Sequence, residues 1–338
     1  MRSYDMRYVL LGHSGLRVSE LGLGTMTFGH ARHGADRAES TRIYEAFREA
    51  GGNLIDTADG YADGVSEALL GELIASERER IVLMTKFGMG TRTNDPNAAT
   101  GSRKAMADAL EGSLRRLRSD YVDVYWVHVW DPYTPLEELM RGLDDLVRGG
   151  KVRYLGISNA PAWVVARANT MAQLRGWTPF VALQIPYSLM QRTVERELVP
   201  MARALGLAIT AWGALGAGIL TGKYNEDPQA SGRARGSNRL DQRSLRIAAA
   251  IGELAHELER PPSQVALAWL RQRSVTTIPL LGARTLAQLE QNMGCLSLRL
   301  EREQLRRLDE VSEIELGFPA HFLERQRRID AGELDPTQ

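Results

Sequence analysis

Tyr121-Val-Asp-Val-Tyr-Trp-Val-His128 is a strand-like run, and what flanks it decides the fold. Before it lies an amphipathic segment, 102–117, opened by Ser102, a residue type that caps helix N-termini. After it lies a second amphipathic segment, 135–147, followed by Gly149-Gly150, which suits a helix C-cap ahead of the next strand. The unit repeats in both directions. Strand-like runs occupy 21–25, 53–57, 81–87, 122–128, 152–158, 181–185, 207–212 and 275–279. Further amphipathic segments lie at 37–50, 161–174 and 195–205, with Gly51-Gly52 closing the first. Repeating β-α units argue for a parallel sheet in an α/β fold. Eight of them within roughly 260 residues favour a closed (β/α)8 TIM barrel over an open doubly wound sheet.

The surplus length has places to go. Residues 7–19, with the turn Gly12-His-Ser-Gly15, read as a hairpin plugging the N-terminal end of the barrel. Residues 222–243 form a polar loop bearing Gly and Pro, long enough to be functional or mobile. Residues 304–314 read as an appended helix. No low-complexity linker or break in composition interrupts the chain, so residues 1–338 are expected to form one domain.

The totals narrow the function. Lys+Arg and Asp+Glu are equal at 42 each, so the formal net charge is +0, and neither nucleic acid nor an anionic membrane is an expected partner. The single cysteine, Cys295, rules out an intramolecular disulfide framework and suits a reducing cytosol. It lies in a helix-like run, 289–298, and reads as a small packed hydrophobe. The start, Met1-Arg-Ser-Tyr-Asp-Met6, has no apolar core of the kind a secretory leader carries. The longest apolar stretch, 207–220, is too short to span a bilayer. A cytoplasmic globular protein is expected.

In barrels of this kind, residues at the C-terminal ends of strands carry chemistry. Asp56 in Asn53-Leu-Ile-Asp-Thr-Ala-Asp-Gly-Tyr61, Lys86 in Ile81-Val-Leu-Met-Thr-Lys-Phe87, and His128 fall there on successive runs, with Tyr61 just beyond Asp56. A free tyrosine has a pKa of about 10 and is a poor acid at neutral pH. A lysine ammonium beside it is expected to pull that value toward the operating range. Aspartate would hold the lysine charged, and histidine could hydrogen-bond a substrate oxygen. Singly, each residue has an ordinary explanation, such as a cap or a polar core side chain. Together they make a kit for protonating a carbonyl oxygen while hydride reaches the carbon. The four positions, in this order and these contexts, resemble the Asp-Tyr-Lys-His tetrad of the aldo-keto reductases, and the resemblance runs from about Gly12 to about Phe322. A strand-end lysine could instead form a Schiff base, but that chemistry does not require Tyr61 and Asp56 at this spacing.

The resemblance implies NADP(H) as cofactor. Gly22-Leu-Gly24 is followed by Thr25-Met26-Thr27, so a Rossmann glycine fingerprint fails. In the family pattern, Trp212 would stack on the nicotinamide, and the backbone at Gly213, Leu215 and Gly216 would hold the pyrophosphate with help from Lys223. Thr25, Met26 and Asp56 would also border the cofactor. Ser158, Asn159 and Gln184 resemble the trio that binds the carboxamide, whose donor and acceptor sites suit amide and hydroxyl partners. Ser158-Asn159 could alternatively cap the following helix. Gly282 leads into a helix N-terminus, an anion site by geometry and dipole. There Arg284 would meet a phosphate, with Gln288, Gln291 and Asn292 facing adenine and ribose. Many relatives carry Ser-Pro at Gly213-Ala214 and arginine at Gln288, which leaves the shape of that loop and the choice between NADP and NAD open.

Phe28, Phe87 and Trp130, with Tyr61, are expected to ring the substrate mouth, which favours a neutral carbonyl compound. No metal is implied. The chain also resembles the potassium-channel β-subunits of the same superfamily at Trp212 and at 282–292. A cofactor-sensing regulatory subunit is therefore the alternative to a carbonyl reductase. His at position 128, from which those subunits depart, separates the two readings. The physiological substrate, the favoured direction and the oligomeric state are not written in the sequence.

Overall fold

A computed structural model describes residues 4–30, 34–90, 94–235, 237–323 and residue 326. A hairpin opens the chain, with β1 (Tyr8–Leu10) antiparallel to β2 (Arg17–Ser19). Eight parallel strands follow: β3 (Gly22–Gly24), β4 (Leu54–Asp56), β5 (Val82–Phe87), β6 (Val122–Val127), β7 (Val152–Ser158), β8 (Phe180–Pro186), β9 (Ala208–Trp212) and β10 (Thr277–Leu281). They close into a barrel, with β10 pairing both β9 and β3. The helices α1 (Arg37–Glu49), α2 (Val65–Leu73), α3 (Arg103–Leu117), α4 (Leu136–Arg148), α5 (Ala162–Arg175) and α6 (Leu198–Ala204) follow β3 to β8 in turn. After β9 come α7 (Lys223–Glu226), α8 (Gln242–Glu257) and α9 (Pro262–Arg271). Then α10 (Leu286–Met293) and α11 (Arg302–Val311) follow β10.

Two cores result from the two-residue period of the strands. Leu54, Val82, Met84, Val124, Trp126, Ala182 and Ala208 point into the barrel, where Leu11 and Val18 of the hairpin join them and close its floor. The alternate residues, including Ile55, Leu83, Phe87, Tyr125 and Val127, pack outward against the helices. Trp126 crosses the interior, and Gly156 makes room for it. A Cβ at Gly156 would lie 2.4 Å from the indole ring.

Helix starts follow the local chemistry. Ser102 Oγ accepts from the Ala105 N–H at 3.2 Å, so Ser102 caps α3 as its sequence predicts. Other boundaries moved. The segment 195–205 becomes α-helical from Leu198, after a 3-10 turn over Thr193–Glu195 in which the Glu195 carboxylate accepts from Tyr187 Oη at 2.7 Å and Arg192 Nε at 2.9 Å. The appended helix begins at Arg302, where Glu301 and Gln304 form a reciprocal cap. The last strand runs two residues further than its apolar run, since Leu280 and Leu281 pair with β3 to close the barrel. Cys295 lies in a short 3-10 turn and is fully buried, with burial pushing its thiol up to about 12. Among the described residues, no helix is long and apolar enough to cross a membrane.

Candidate active site

The C-terminal ends of β4, β5, β6, β7 and β8 bring one polar cluster together. Lys86 is fully buried. Its ammonium donates to Asp56 Oδ2 at 2.7 Å, to the Thr57 carbonyl at 2.7 Å and to Tyr61 Oη at 3.0 Å. A lysine has three N–H donors, so all are used. Asp56 Oδ1 accepts from Gln184 Nε2 at 3.0 Å. The Tyr61 ring meets the His128 ring edge-on, with centroids 6.0 Å apart.

The electrostatics follow from burial and pairing. Burial pulls the Lys86 ammonium down, but Asp56 and Tyr61 outweigh it and hold the group above the usual lysine value. The cation is therefore permanent at neutral pH. Burial pushes the Tyr61 phenol up, and Lys86 opposes this without prevailing. The Lys86 charge and hydrogen bond do pull this phenol down as expected, but desolvation is the larger effect and the phenol stands above its ordinary value. Burial, then the Lys86 charge, drives the His128 imidazole down to about 3, so it is neutral at pH 7. Its Nδ1 is buried without a partner. A neutral imidazole can give one hydrogen bond to an oxygen without competing for the proton. Together the four groups can place a donatable proton beside an oxygen acceptor.

A polar shelf adjoins the tetrad. Ser158 Oγ donates to the Gln184 carbonyl at 2.8 Å. Asn159 Nδ2 reaches the His128 carbonyl and Ser158 Oγ, each at 2.9 Å, from a left-handed backbone with φ 49°. The helix-cap explanation for this pair does not hold, since Pro161 stands at the N-cap of α5. Thr25 is buried beside the cluster, its N–H and hydroxyl both donating to the Asp56 carbonyl. Met26 is 48% exposed.

Beyond Trp212, residues 213–218 coil through left-handed conformations at Gly213, Gly216, Ala217 and Gly218. The space around Gly213 is open, with no atom within 4 Å of where a Cβ would stand. Leu215, within this loop, is half-buried. Lys223 lies against Gly218 and donates to the Ser231 carbonyl at 2.8 Å. Gly282 is likewise open, followed by Arg284 and the N-cap Thr285 of α10. The Gln288 side chain folds back to accept from the Arg284 N–H at 3.0 Å, and Gln291 donates to Ser263 Oγ at 3.2 Å. Both amides are engaged with the protein itself, while Asn292 is buried.

Sequence reasoning missed two groups here. The loop 222–243 brings Arg233 and Arg239 toward Arg284. Desolvation, then these two neighbouring cations, push the Arg233 guanidinium below its ordinary value. The basic spacing of Arg233, Arg235 and Arg239 was the available signal. At the mouth, Trp163 stands 56% exposed and edge-on to Trp130, with centroids 5.6 Å apart. Two predicted mouth residues lie elsewhere. Phe28 is fully buried in the outer core, and Phe87, equally buried, stacks on Tyr125 at 4.9 Å. The alternation of a strand explains Phe87, which follows inward-facing Lys86 and so points outward.

A parallel eight-stranded barrel whose strand ends gather Asp, Tyr, Lys and His around one proton is the architecture of a class of barrel oxidoreductases. The family model described as the aldo/keto reductase family matches residues 20–313. Norsolorinic acid reductase of Aspergillus flavus is 36% identical over 93% of this chain and 83% of its own length. Norsolorinic acid reductase of Emericella nidulans is 38% identical over 93% of this chain and 84% of its own. An aryl-alcohol dehydrogenase of Pestalotiopsis microspora is 37% identical over 94% and 85% respectively. The chain belongs to the aldo/keto reductase family.

Proposed function

We propose that this chain is an NADP(H)-dependent reductase, carried by one domain, that converts the carbonyl of an aryl aldehyde or ketone to an alcohol in the cytoplasm. The observation that carries the reading is the buried Lys86 ammonium, shared between Asp56 at 2.7 Å and the Tyr61 hydroxyl at 3.0 Å. Tyr61 gives its proton to the carbonyl oxygen. Lys86 stabilises the phenolate left behind, and Asp56 keeps Lys86 charged and in place. His128, neutral at the working pH, donates a hydrogen bond to the same oxygen and orients it. A complete tetrad favours an enzyme over a cofactor-sensing subunit.

The residues present fit a dinucleotide. The left-handed loop at 213–218 leaves open space at Gly213 for a pyrophosphate. Arg233 lies within electrostatic reach of Arg239 and Arg284, and a phosphate would relieve the repulsion among these three cations. The cofactor, when bound, supplies hydride to the carbonyl carbon. Trp212 would flank its nicotinamide ring, and Ser158, Asn159 and Gln184 would hold its carboxamide. Arg284 would favour a 2′-phosphate. Gln288, Gln291 and Asn292 would border the adenosine once the first two amides exchange their present partners.

The exposed Trp163 and the half-buried Trp130 support an aromatic substrate, since indoles offer flat apolar contact to a ring. Two of the relatives are named for norsolorinic acid and one for aryl alcohols. A small-molecule carbonyl is thus the expected partner, with no role assigned to a membrane or nucleic acid. The test is loss of NADPH absorbance with purified protein and 3,4-dimethoxybenzaldehyde, with Tyr61→Phe as control. Turnover that survives Tyr61→Phe undiminished would refute the proton-donor assignment. No turnover on any aryl or aliphatic carbonyl would refute the reductase.

A further inference from the structure

The segment that carries Tyr61 is strained and is held from outside the barrel. Immediately after Tyr61, Ala62 and Asp63 adopt left-handed backbone with φ 48° and 54°, and Gly64 follows at 88°. Two non-glycine residues in this region need surrounding structure to hold them there. Arg116 of α3 supplies part of it. Its side chain lies flat on the turn, so close that a Cβ at Gly64 would stand 2.8 Å from Arg116 Cδ. Arg116 Nε in turn donates to Glu67 Oε2 at 2.7 Å. Glu67 is fully buried, and its Oε1 accepts from Thr85 Oγ1 at 2.5 Å. Thr85 is the residue before Lys86. The ion pair therefore spans from the Tyr61 turn to the strand that carries its lysine.

Asp59 completes the arrangement. It is 3% exposed, two residues before Tyr61, and its N–H donates to the Lys86 carbonyl at 3.3 Å. Its Oδ1 is buried with no hydrogen-bond partner. A buried carboxylate oxygen without a partner is a cost to folding, and such groups persist where they serve a site. The groups facing it are Glu67 of α2, Arg116 of α3, Lys86 of β5, Tyr125 of β6 and Tyr61 on its own loop. The proposed mechanism uses none of Asp59, Glu67 or Arg116.

We propose that Asp59 and the Glu67–Arg116 ion pair form a bracket on the outer side of the barrel that positions Tyr61 against Lys86. All three are positioning residues, and none touches substrate. The bracket has two parts. Arg116 and Glu67 hold the strained turn closed, so the phenol stays within reach of the ammonium. Asp59 places negative charge behind the phenol and favours its protonated form, the form that a reduction needs. Burial, and next the Glu67 charge, raise Asp59 itself to about 6, so this influence is complete at neutral and alkaline pH. His128, down at about 3, has no part in a change near that pH.

The inference rests on the reading of Tyr61 as proton donor, yet its test needs no turnover. Tyrosinate difference absorbance, each protein measured against its own Tyr61→Phe partner, reads the Tyr61 phenol directly. Asp59→Asn keeps the shape and removes the charge, so the Tyr61 midpoint should fall by about half to one pH unit. Arg116→Met loosens the turn from Lys86 and leaves two carboxylates unopposed, so the midpoint should rise. Arg116→Lys, which can still pair with Glu67, should return it most of the way to wild type. Shifts of opposite sign support the bracket. Unchanged midpoints, or shifts of the same sign in Asp59→Asn and Arg116→Met, overturn it. Opposite shifts in a protein that reduces no carbonyl would leave the bracket standing and remove only the reductase reading.

Discussion

Asp59→Asn should make the protein more stable at alkaline pH, by an amount that shrinks on acidification. The ordinary carboxyl value of 3.8 is raised to about 6 in the folded chain, with burial the main cause and the Glu67 charge the next. For an acid this is the unfavourable direction. Between those two values the folded state binds more protons than the unfolded state, so stability falls as pH rises through that window and is then flat. At about 1.36 kcal/mol per pH unit, the full penalty is about 3 kcal/mol above pH 7. It is about 1 kcal/mol at pH 4.5, where the unfolded carboxyl is largely charged and the folded one is not. Asparagine has no charge to bury and escapes the penalty at either pH. Urea or thermal unfolding at pH 4.5 and pH 8 would measure it, with a gain of roughly 4 °C in Tm expected at pH 8. A variant less stable than wild type at pH 8, or one whose gain is the same at both pH values, would refute the reasoning. The first result would mean that the carboxylate is well solvated or paired, and the second that its charge is irrelevant.

Other substitutions address the site itself. Lys86→Met removes the cation bonded to Tyr61 Oη at 3.0 Å, so the phenol should titrate higher still. Alcohol oxidation, which needs the phenolate, should then fall by about 10²–10⁴-fold; an unchanged pH–rate profile at full activity would remove Lys86 from the chemistry. Arg284→Ala should raise KM for NADPH about tenfold or more, and KM for NADH little, because a charge-assisted phosphate contact contributes roughly 1.5–3 kcal/mol. Arg233 and Arg239 stand by to share that phosphate, which favours the low end, and equal losses for both cofactors would make Arg284 structural. Trp163→Ala should raise KM for an aryl aldehyde about two- to tenfold, the value of one aromatic contact of roughly 0.5–1.5 kcal/mol. KM for butanal should hold, and parallel losses on both substrates would place Trp163 outside the substrate's reach.

What was legible in the sequence, and what was not, divides along physical lines. Asp56, Tyr61, Lys86 and His128 each lie inside a short contiguous stretch at a strand end, and a strand end in a barrel has a fixed destination. Reading the runs was therefore enough to bring the four together. Phe87 was misread because neighbours in sequence were treated as neighbours in space. Lys86 and Phe87 face opposite sides of β5, and only the lysine enters the barrel. Phe28 lies beyond the end of β3, where no period constrains its direction, and it turned into the outer core. Gln288 has the amide chemistry expected near a ribose, but it occupies the third position of α10, where a side chain can reach back to the helix start, and it does so.

The same alternation that misled the reading of Phe87 explains how β5 serves two purposes. Its inward residues, Met84 and Lys86, run from the packed floor to the proton site. Its outward residues, Thr85 and Phe87, meet the helical layer, Thr85 through Glu67 and Phe87 through Tyr125. A displacement of α2 or α3 therefore reaches Lys86 through its neighbours in the same strand, and reaches Tyr61 through Gly64 and Arg116. Both ends of the 3.0 Å contact between Lys86 and Tyr61 depend on that outer layer. Proton transfer is sensitive to that distance, so substitutions in the wall between barrel and helices should change kcat without touching any ligand. Glu67→Gln is the sharpest case. It keeps the hydrogen bond to Thr85 and lets go of the Arg116 charge, so a fall in kcat with KM for NADPH unchanged separates the Tyr61 turn from the strand, whereas a wild-type kcat would show that the turn holds its shape unaided.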